Sequence, residues 1–550
     1  MSDPVARLNA ALEGRYAIEC ELGGNGWIQR LSALPLVFAL GLAGCGGQTV
    51  GGESHGSGTL SLEEATIRGI HDAFASGTLA CVQLVEYYLR RIEAYDDQGP
   101  ALNAILTVNP RALDTAREMD RLYAADGTDG RPLHCIPVIV KDNFDTADMP
   151  TTGASVALAQ SIPPDDAFVV RRLREAGALV LAKSNLTELA RGGTTISSLG
   201  GQTRNPYDLS RTPGGSSGGT GAAIAADFGV LGTGSDTGQS IRSPASAQGL
   251  VGIRASRGLV SRDGVIPVSF TQDEGGPIVR TVEDAARMLD VIAGYDPADP
   301  ITAFGTGKIP ASYTESLDPN GLEGARIGLV LDLVGQDAIH DEVNAVVEDA
   351  IATMTEAGAT VVRLRIPNFA DLTRDIALSG FEFKIAFNRY LTSLGSAAPV
   401  GSLEEFIERG EFHPPLRRGL EADQSVQNGL ADAEYRSRLL RREELRQAVM
   451  TMIADNELDA VLYPHQRRLV APIGEDQRER NGVLSNSTGF PAITFPGGFS
   501  ASTASAPLGV PIGIELLGPA WSEPTLIRLA YAFEQAARIR RPPTSTPPLS

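Results

Sequence analysis

Residues 213–221 read Pro213-Gly214-Gly215-Ser216-Ser217-Gly218-Gly219-Thr220-Gly221. A Gly/Ser run of this kind is ordinarily a solvated linker. This one continues directly into the apolar run 222–226, which a linker would not do. No Gly-Lys-Ser/Thr follows it, so it is not a Walker phosphate loop. Working outward, the upstream segment Pro137-Val138-Ile139-Val140-Lys141-Asp142 puts a lysine at the end of an apolar strand. Downstream lies Gly232-Thr233-Gly234-Ser235-Asp236-Thr237-Gly238-Gln239-Ser240-Ile241-Arg242-Ser243-Pro244-Ala245. Serines and a lysine held between apolar flanks are a pattern for buried chemistry, not for a surface loop.

The surrounding chain alternates short β-rich runs (136–140, 179–182, 327–331) with helix signatures at 168–175 and 279–292. Helical spacing of Ile67, Ile70, Phe74, Val85 and Leu89 marks 60–94 as helical. Strands alternating with helices predict an α/β fold with a mixed, mostly parallel central sheet covered by helices on both faces. Residues 383–455, rich in Arg, Glu and Leu and loosened by Pro414 and Pro415, read as a helical insertion beside the site. The five prolines of the 541–550 tail predict disorder there.

The chain has 550 residues and a formal net charge of −20. So acidic a surface repels phosphate backbones and argues against a nucleic-acid partner. The 60 glycines point to tight turns and close backbone approaches. The four cysteines, Cys20, Cys45, Cys81 and Cys135, form no CxxC pair, so neither a zinc knuckle nor a disulfide framework is expected. The six histidines show no HExxH or other close ligand pair, so no metal or other cofactor is expected.

Two unlike pieces precede the body. Residues 1–28 include Leu12-Glu13-Gly14-Arg15-Tyr16 and Glu21-Leu22-Gly23-Gly24-Asn25-Gly26, similar to the opening of bacterial Ser/Thr kinases, without that family's later motifs. They read as an extraneous fragment or a misplaced start. In 29–59, Gln29-Arg30, the 13-residue apolar run 31–43 and Leu42-Ala43-Gly44-Cys45 resemble a bacterial lipoprotein signal followed by a Gly/Ser tether. The run is shorter than the ~20 residues of a spanning helix. The resemblance implies a lipid anchor on Cys45 and a cell-envelope or periplasmic location if the signal is processed, and a cytoplasmic one otherwise.

Taken together, the three central segments resemble the amidase signature family over 60–540. Lys141 and Ser216 are 75 residues apart, and Ser216 and Ser240 are 24 apart, as in that family. Further matching pieces are Asn185-Leu186-Thr187-Glu188-Leu189, Asn205-Pro206, Gly489-Phe490-Pro491-Ala492 and Pro511-Ile512-Gly513. The resemblance implies a serine hydrolase of amide C–N bonds. Ser240 would be the nucleophile, and Ser216, after a cis Gly215–Ser216 bond, would relay its proton to Lys141. Lys141 must then be neutral, which requires burial away from carboxylates. Asp142 follows it in sequence, but neighbours on a strand point to opposite faces. The backbone of Thr237, Gly238, Gln239 and Ser240 would form an oxyanion hole.

Most members carry Gly-Gly-Ser where this chain has Gly238-Gln239-Ser240. Either the Gln239 position tolerates a side chain or the loop is reshaped, and its amide could reach the substrate or Ser216. Asp236 and Arg242 read as a structural pair holding the loop. Gly192, Gly193 and His465 are candidate substrate-binding residues. The loop and insertion also resemble the family's urethanases, so aryl carbamates join amides as candidate substrates, with an aromatic pocket expected near 383–390, Leu462 and Phe490. Two rival readings remain. One is the glutaminase subunit of a tRNA-dependent amidotransferase, which needs further protein partners and a cytoplasmic location. The other is a catalytically silent binding module. A monomer or homodimer is expected.

Overall fold

The computed structural model describes residues 62–549 except 129 and 428. The chain divides into two units, Met1–Thr59 and Leu60–Ser550. The kinase-like stretch, the signal-like segment and Cys45 lie outside the described residues.

Eleven strands form one sheet. In chain order they are β1 (Ile105–Val108), β2 (Pro137–Lys141), β3 (Leu179–Ser184), β6 (Leu231–Asp236), β7 (Val251–Arg254), β8 (Glu274–Val279), β9 (Arg326–Val330), β10 (Thr360–Leu364), β11 (Ala460–Pro464), β12 (Ala492–Phe499) and β13 (Pro511–Leu517). Two-residue β4 (Ile196–Ser197) and β5 (Gly201–Gln202) make a separate ribbon. The order across the large sheet is β1-β3-β2-β6-β8-β7-β12-β13-β11-β9-β10. The fold is α/β with a mixed sheet. Parallel pairing falls in two blocks, β3-β2-β6 and β11-β9-β10. The pairings between those blocks, and that of β1 on β3, are antiparallel. Strand–helix alternation in the sequence points to the parallel blocks but not to these returns, which depend on tertiary pairing.

Every residue of β2, β3, β6, β7, β8, β11 and β13 is buried. A strand buried along its whole length must be covered on both faces, which explains the near-continuous Val/Ile/Leu runs. The edge strands β1 and β10 are partly exposed. The 60–94 helical reading resolves into Ile67–Ala75 and Cys81–Ile92, broken at Gly77 with its φ of +68°.

The glycine run serves as a close-packing surface. The helix Gly218–Ala225 follows it directly, and a Cβ at Gly219 would collide with the Asn185 backbone. A Cβ at Gly215 would stand 2.9 Å from Thr187 Oγ1 and from the Gly193 carbonyl carbon. The segment that holds Ser216 can therefore lie against 185–195 only without side chains.

The insertion between β10 and β11 is helical, through Ser379–Ser393, Leu403–Arg409, Arg417–Ser425 and Ala433–Asp455. Phe383, Phe387, Phe406, Phe412 and Leu420 form an apolar cluster with Leu186, Leu189, Ile266 and Val268, tying the insertion to the body.

Two expectations are corrected. The tail is ordered: Arg91 and Tyr95 donate to the Pro547 carbonyl, and Ser545 Oγ to that of Pro206 at 2.6 Å. Its carbonyls find buried donors, so proline content alone did not leave it loose. A disulfide joins Cys81 to Cys135. The two are 54 residues apart, and only the packing of the helix Cys81–Ile92 beside the entry to β2 brings them together.

Candidate active site

β2 and β6 lie side by side in parallel, and both end at the site. Lys141 is the last residue of β2, and its Nζ donates to Ser216 Oγ at 2.8 Å and to Ser235 Oγ at 2.8 Å. Ser235, near the end of β6, is also held by Asn143 Nδ2 at 2.9 Å. The peptide bond Gly215–Ser216 is cis. The Ser217 N–H donates to the Ser240 carbonyl at 3.2 Å, which stitches the two serine segments together.

Lys141 and Ser216 are 0% exposed, whereas Ser240 keeps 6%. The relay is sealed and the nucleophile position can be reached. Burial draws the Lys141 ammonium from its ordinary 10.5 down to about 7, opposed only by the more distant Asp236 and Asp273. No carboxylate lies within ion-pair distance of Lys141 among the described residues, and Asp142 points away, to Lys183 at 3.1 Å.

The turn after β6 shows how fixed carbonyls orient free donors. The Thr237 carbonyl accepts from Gln272 at 3.3 Å, and the Gly238 carbonyl from Arg242 at 2.7 Å and Asn486 at 3.2 Å. The Gln239 carbonyl accepts from the Ser243 N–H at 2.8 Å. In a trans peptide the next N–H points the opposite way. The N–H groups of Gly238, Gln239 and Ser240 find no acceptor among the described residues. Thr237, Gly238, Gln239 and Ser240 line a cavity of about 420 Å³, where such donors can meet a developing oxyanion.

Beneath the loop lies a buried ionic network that sequence reasoning found only in part. Asp236 pairs with Arg242 at 3.1 Å and with Arg254 at 3.0 Å. Arg242 reaches on to Glu515 at 2.7 Å, and Tyr463 donates to Glu515 at 2.6 Å. Asp236 is held well below the usual carboxylate range: burial opposes this, but its two arginines outweigh it. Glu515, likewise buried, is drawn down to about 2 by Arg242 and His465. Asp236 and Arg242 thus act as the pair that fixes the loop, with Arg254 and Glu515 as partners that local motifs could not show.

Gln239 keeps its side chain without positive φ. With its amide oxygen turned to the nearby donors, it accepts from Arg480 Nε at 2.9 Å and from both terminal nitrogens, so it reaches Arg480 rather than Ser216. Gly192 lines the inner cavity and, with Gly193, an adjoining cavity of about 710 Å³. His465 is elsewhere: it is 0% exposed, donates Nδ1–H to Glu515 at 2.6 Å and lines neither cavity. Burial lowers its pKa, so it is a neutral member of the network. Phe383, Phe387, Leu462 and Phe490 are also buried in the core. The cavities present Arg191, Gln272, Arg480 and Asn486, so the aromatic lining expected near those residues is absent from the described pocket.

The family model for amidases matches residues 83–527. The chain belongs to the amidase signature family. A probable amidase of Arabidopsis thaliana is 38% identical over 508 residues, covering 88% of this chain and 93% of that protein. The A chain of the glutamyl-tRNA(Gln) amidotransferase of Symbiobacterium thermophilum is 35% identical, covering 84% and 95%. The native peptide amidase from Stenotrophomonas maltophilia superposes with a TM-score of 0.78 at 38% identity, covering 87% and 98%. This amidase is an enzyme that hydrolyses amide C–N bonds.

Proposed function

We propose that this amidase cleaves small linear amides through an acyl-enzyme on Ser240. The observation that carries this is the 2.8 Å contact from Lys141 Nζ to Ser216 Oγ in a pocket that makes the lysine neutral. Neutral Lys141 takes the Ser216 proton as Ser216 takes that of Ser240. Ser240 Oγ attacks the carbonyl, and the oxyanion settles on the N–H groups of the 237–240 turn. Ser216 then returns a proton to the leaving nitrogen, the amine departs, and water repeats the sequence to free the acid. Labelling by a fluorophosphonate followed by peptide mapping tests it. Modification at Ser240 and amine release from a simple anilide are expected, and an unlabelled Ser240 would overturn the assignment.

The carbamate reading rests on shared carbonyl chemistry, since the aromatic pocket invoked for it is missing. An N-aryl carbamate run beside its matched anilide, with free aniline quantified, decides it. For location, the disulfide Cys81–Cys135 favours an oxidising compartment, which agrees with the signal-like 29–59 segment and disfavours the cytoplasmic glutaminase of an amidotransferase. Mass spectrometry of Cys45 in the expressed protein tests the anchor.

A further inference from the structure

Arg480 lies where the two cavities meet and lines both. Its guanidinium makes no ion pair among the described residues. Its hydrogen-bond partner is a single neutral oxygen, that of Gln239. Asp236, the acid that acts on it most, is already shared by Arg242 and Arg254. The neighbouring cation differs: Arg191 is paired with Asp423 at 2.6 Å and stacked over Phe383. Room for Arg480 is built into the chain, because a Cβ at Gly193 would collide with Arg480 Nη1. Burial lowers the Arg480 pKa to about 10, so it remains a cation at neutral pH. The rim of the outer cavity adds Glu475, Asp476 and Arg478, all exposed, so its acids screen the mouth and do not neutralise the deeper guanidinium.

A partly desolvated guanidinium without a counter-ion is costly, and its planar fork matches a carboxylate in two parallel hydrogen bonds. We propose that Arg480 is a specificity-determining residue that binds a carboxylate carried by the amide substrate, adjacent to the scissile bond, with Gln239 holding the fork in place until the substrate arrives. The inference rests on the Ser240 hydrolase reading above.

The test uses the full-length enzyme and two substrate pairs: the 4-nitroanilide of succinate against that of its monomethyl ester, and 4-acetamidobenzoate against its methyl ester. Free aniline is measured, and enzyme is counted by fluorophosphonate titration. The wild type should prefer the carboxylate by about tenfold or more in kcat/KM for at least one pair, mostly through KM. In Arg480→Gln that ratio should fall to about one, and Arg480→Lys should keep part of it. Turnover of the esters without any carboxylate preference would overturn the inference and leave the hydrolase reading intact. A preference that persists in Arg480→Gln would place the anion site elsewhere. Absent labelling with absent turnover would instead sink the hydrolase reading and the inference with it. Should Arg480→Gln fail to fold, inhibition of the wild type by glutarate against dimethyl glutarate decides the same question, with equal inhibition overturning the proposal.

Discussion

Two lysines lie on adjacent parallel strands, both completely buried, and their surroundings make them opposites. Lys141 ends β2 with two serine hydroxyls and the Ser235 carbonyl as its acceptors. Lys183, near the end of β3, is ion-paired with Asp142 and donates to Thr146, Thr151 and the Phe144 and Pro150 carbonyls. Same residue type, same sheet and same burial give a base in one case and a structural ion pair in the other. The difference is one carboxylate, and Asp142, which follows Lys141 in sequence, is directed by strand alternation to the other lysine.

The strongest way to break this comparison is to remove what Lys141 serves. Ser240→Ala should lower kcat on the order of 10⁴-fold while leaving the melting temperature near wild type, because one small hydroxyl contributes little packing. Retention of more than a few per cent of the rate would displace Ser240 as nucleophile.

Lys141→Ala should cost about 10³-fold. In the wild type, kcat/KM should rise with pH through about 7, as Lys141 loses its proton, and then level off. That limb should vanish in the variant, and an unchanged profile would assign the base elsewhere. Stability carries the same signature. The unfolded lysine keeps its proton up to about 10.5 and the folded one releases it near 7, so the unfolded state binds more protons in between. Stability attributable to Lys141 should therefore climb from pH 7 towards 10.5, and Lys141→Met should flatten that slope in urea melts.

Lys183→Met should act in the reverse sense. It leaves Asp142 buried and unpaired, a loss of about 3–5 kcal/mol seen as a lower melting temperature. The molecules that remain folded should keep the pH limb near 7. A shifted limb would mean that the two lysines are coupled and the comparison too sharp.

The smallest effect belongs to Ser235→Ala. It removes one hydroxyl partner of Lys141, a change of about 1 kcal/mol or roughly fivefold in kcat/KM, with the pH midpoint moving little. A loss as large as that of Lys141→Ala would make Ser235 a member of the relay.

Much of this was legible in the residues themselves. Ser216, Ser240 and Lys141 stand in local motifs whose spacing carries a chemistry, and apolar runs such as 136–140 announce buried strands. Alternation along β2 was enough to turn Asp142 away from Lys141, because the period of a strand is a local property. Other features are long-range and have no local signal. Glu515 reaches Arg242 across 273 residues, Cys81 meets Cys135 across 54, and Arg480 meets Gln239 only when the loop before the helix Val483–Thr488 closes over the 237–240 turn. His465 and the aromatic residues of 383–390 looked available as pocket residues in sequence. Packing buried them, because apolar and aromatic area is removed from water first and the cavity keeps the polar groups that remain. Sequence determined which groups could react. The tertiary structure decided which were desolvated, which were paired and which faced the cavity, since burial and electrostatic partnership depend on residues distant in the chain.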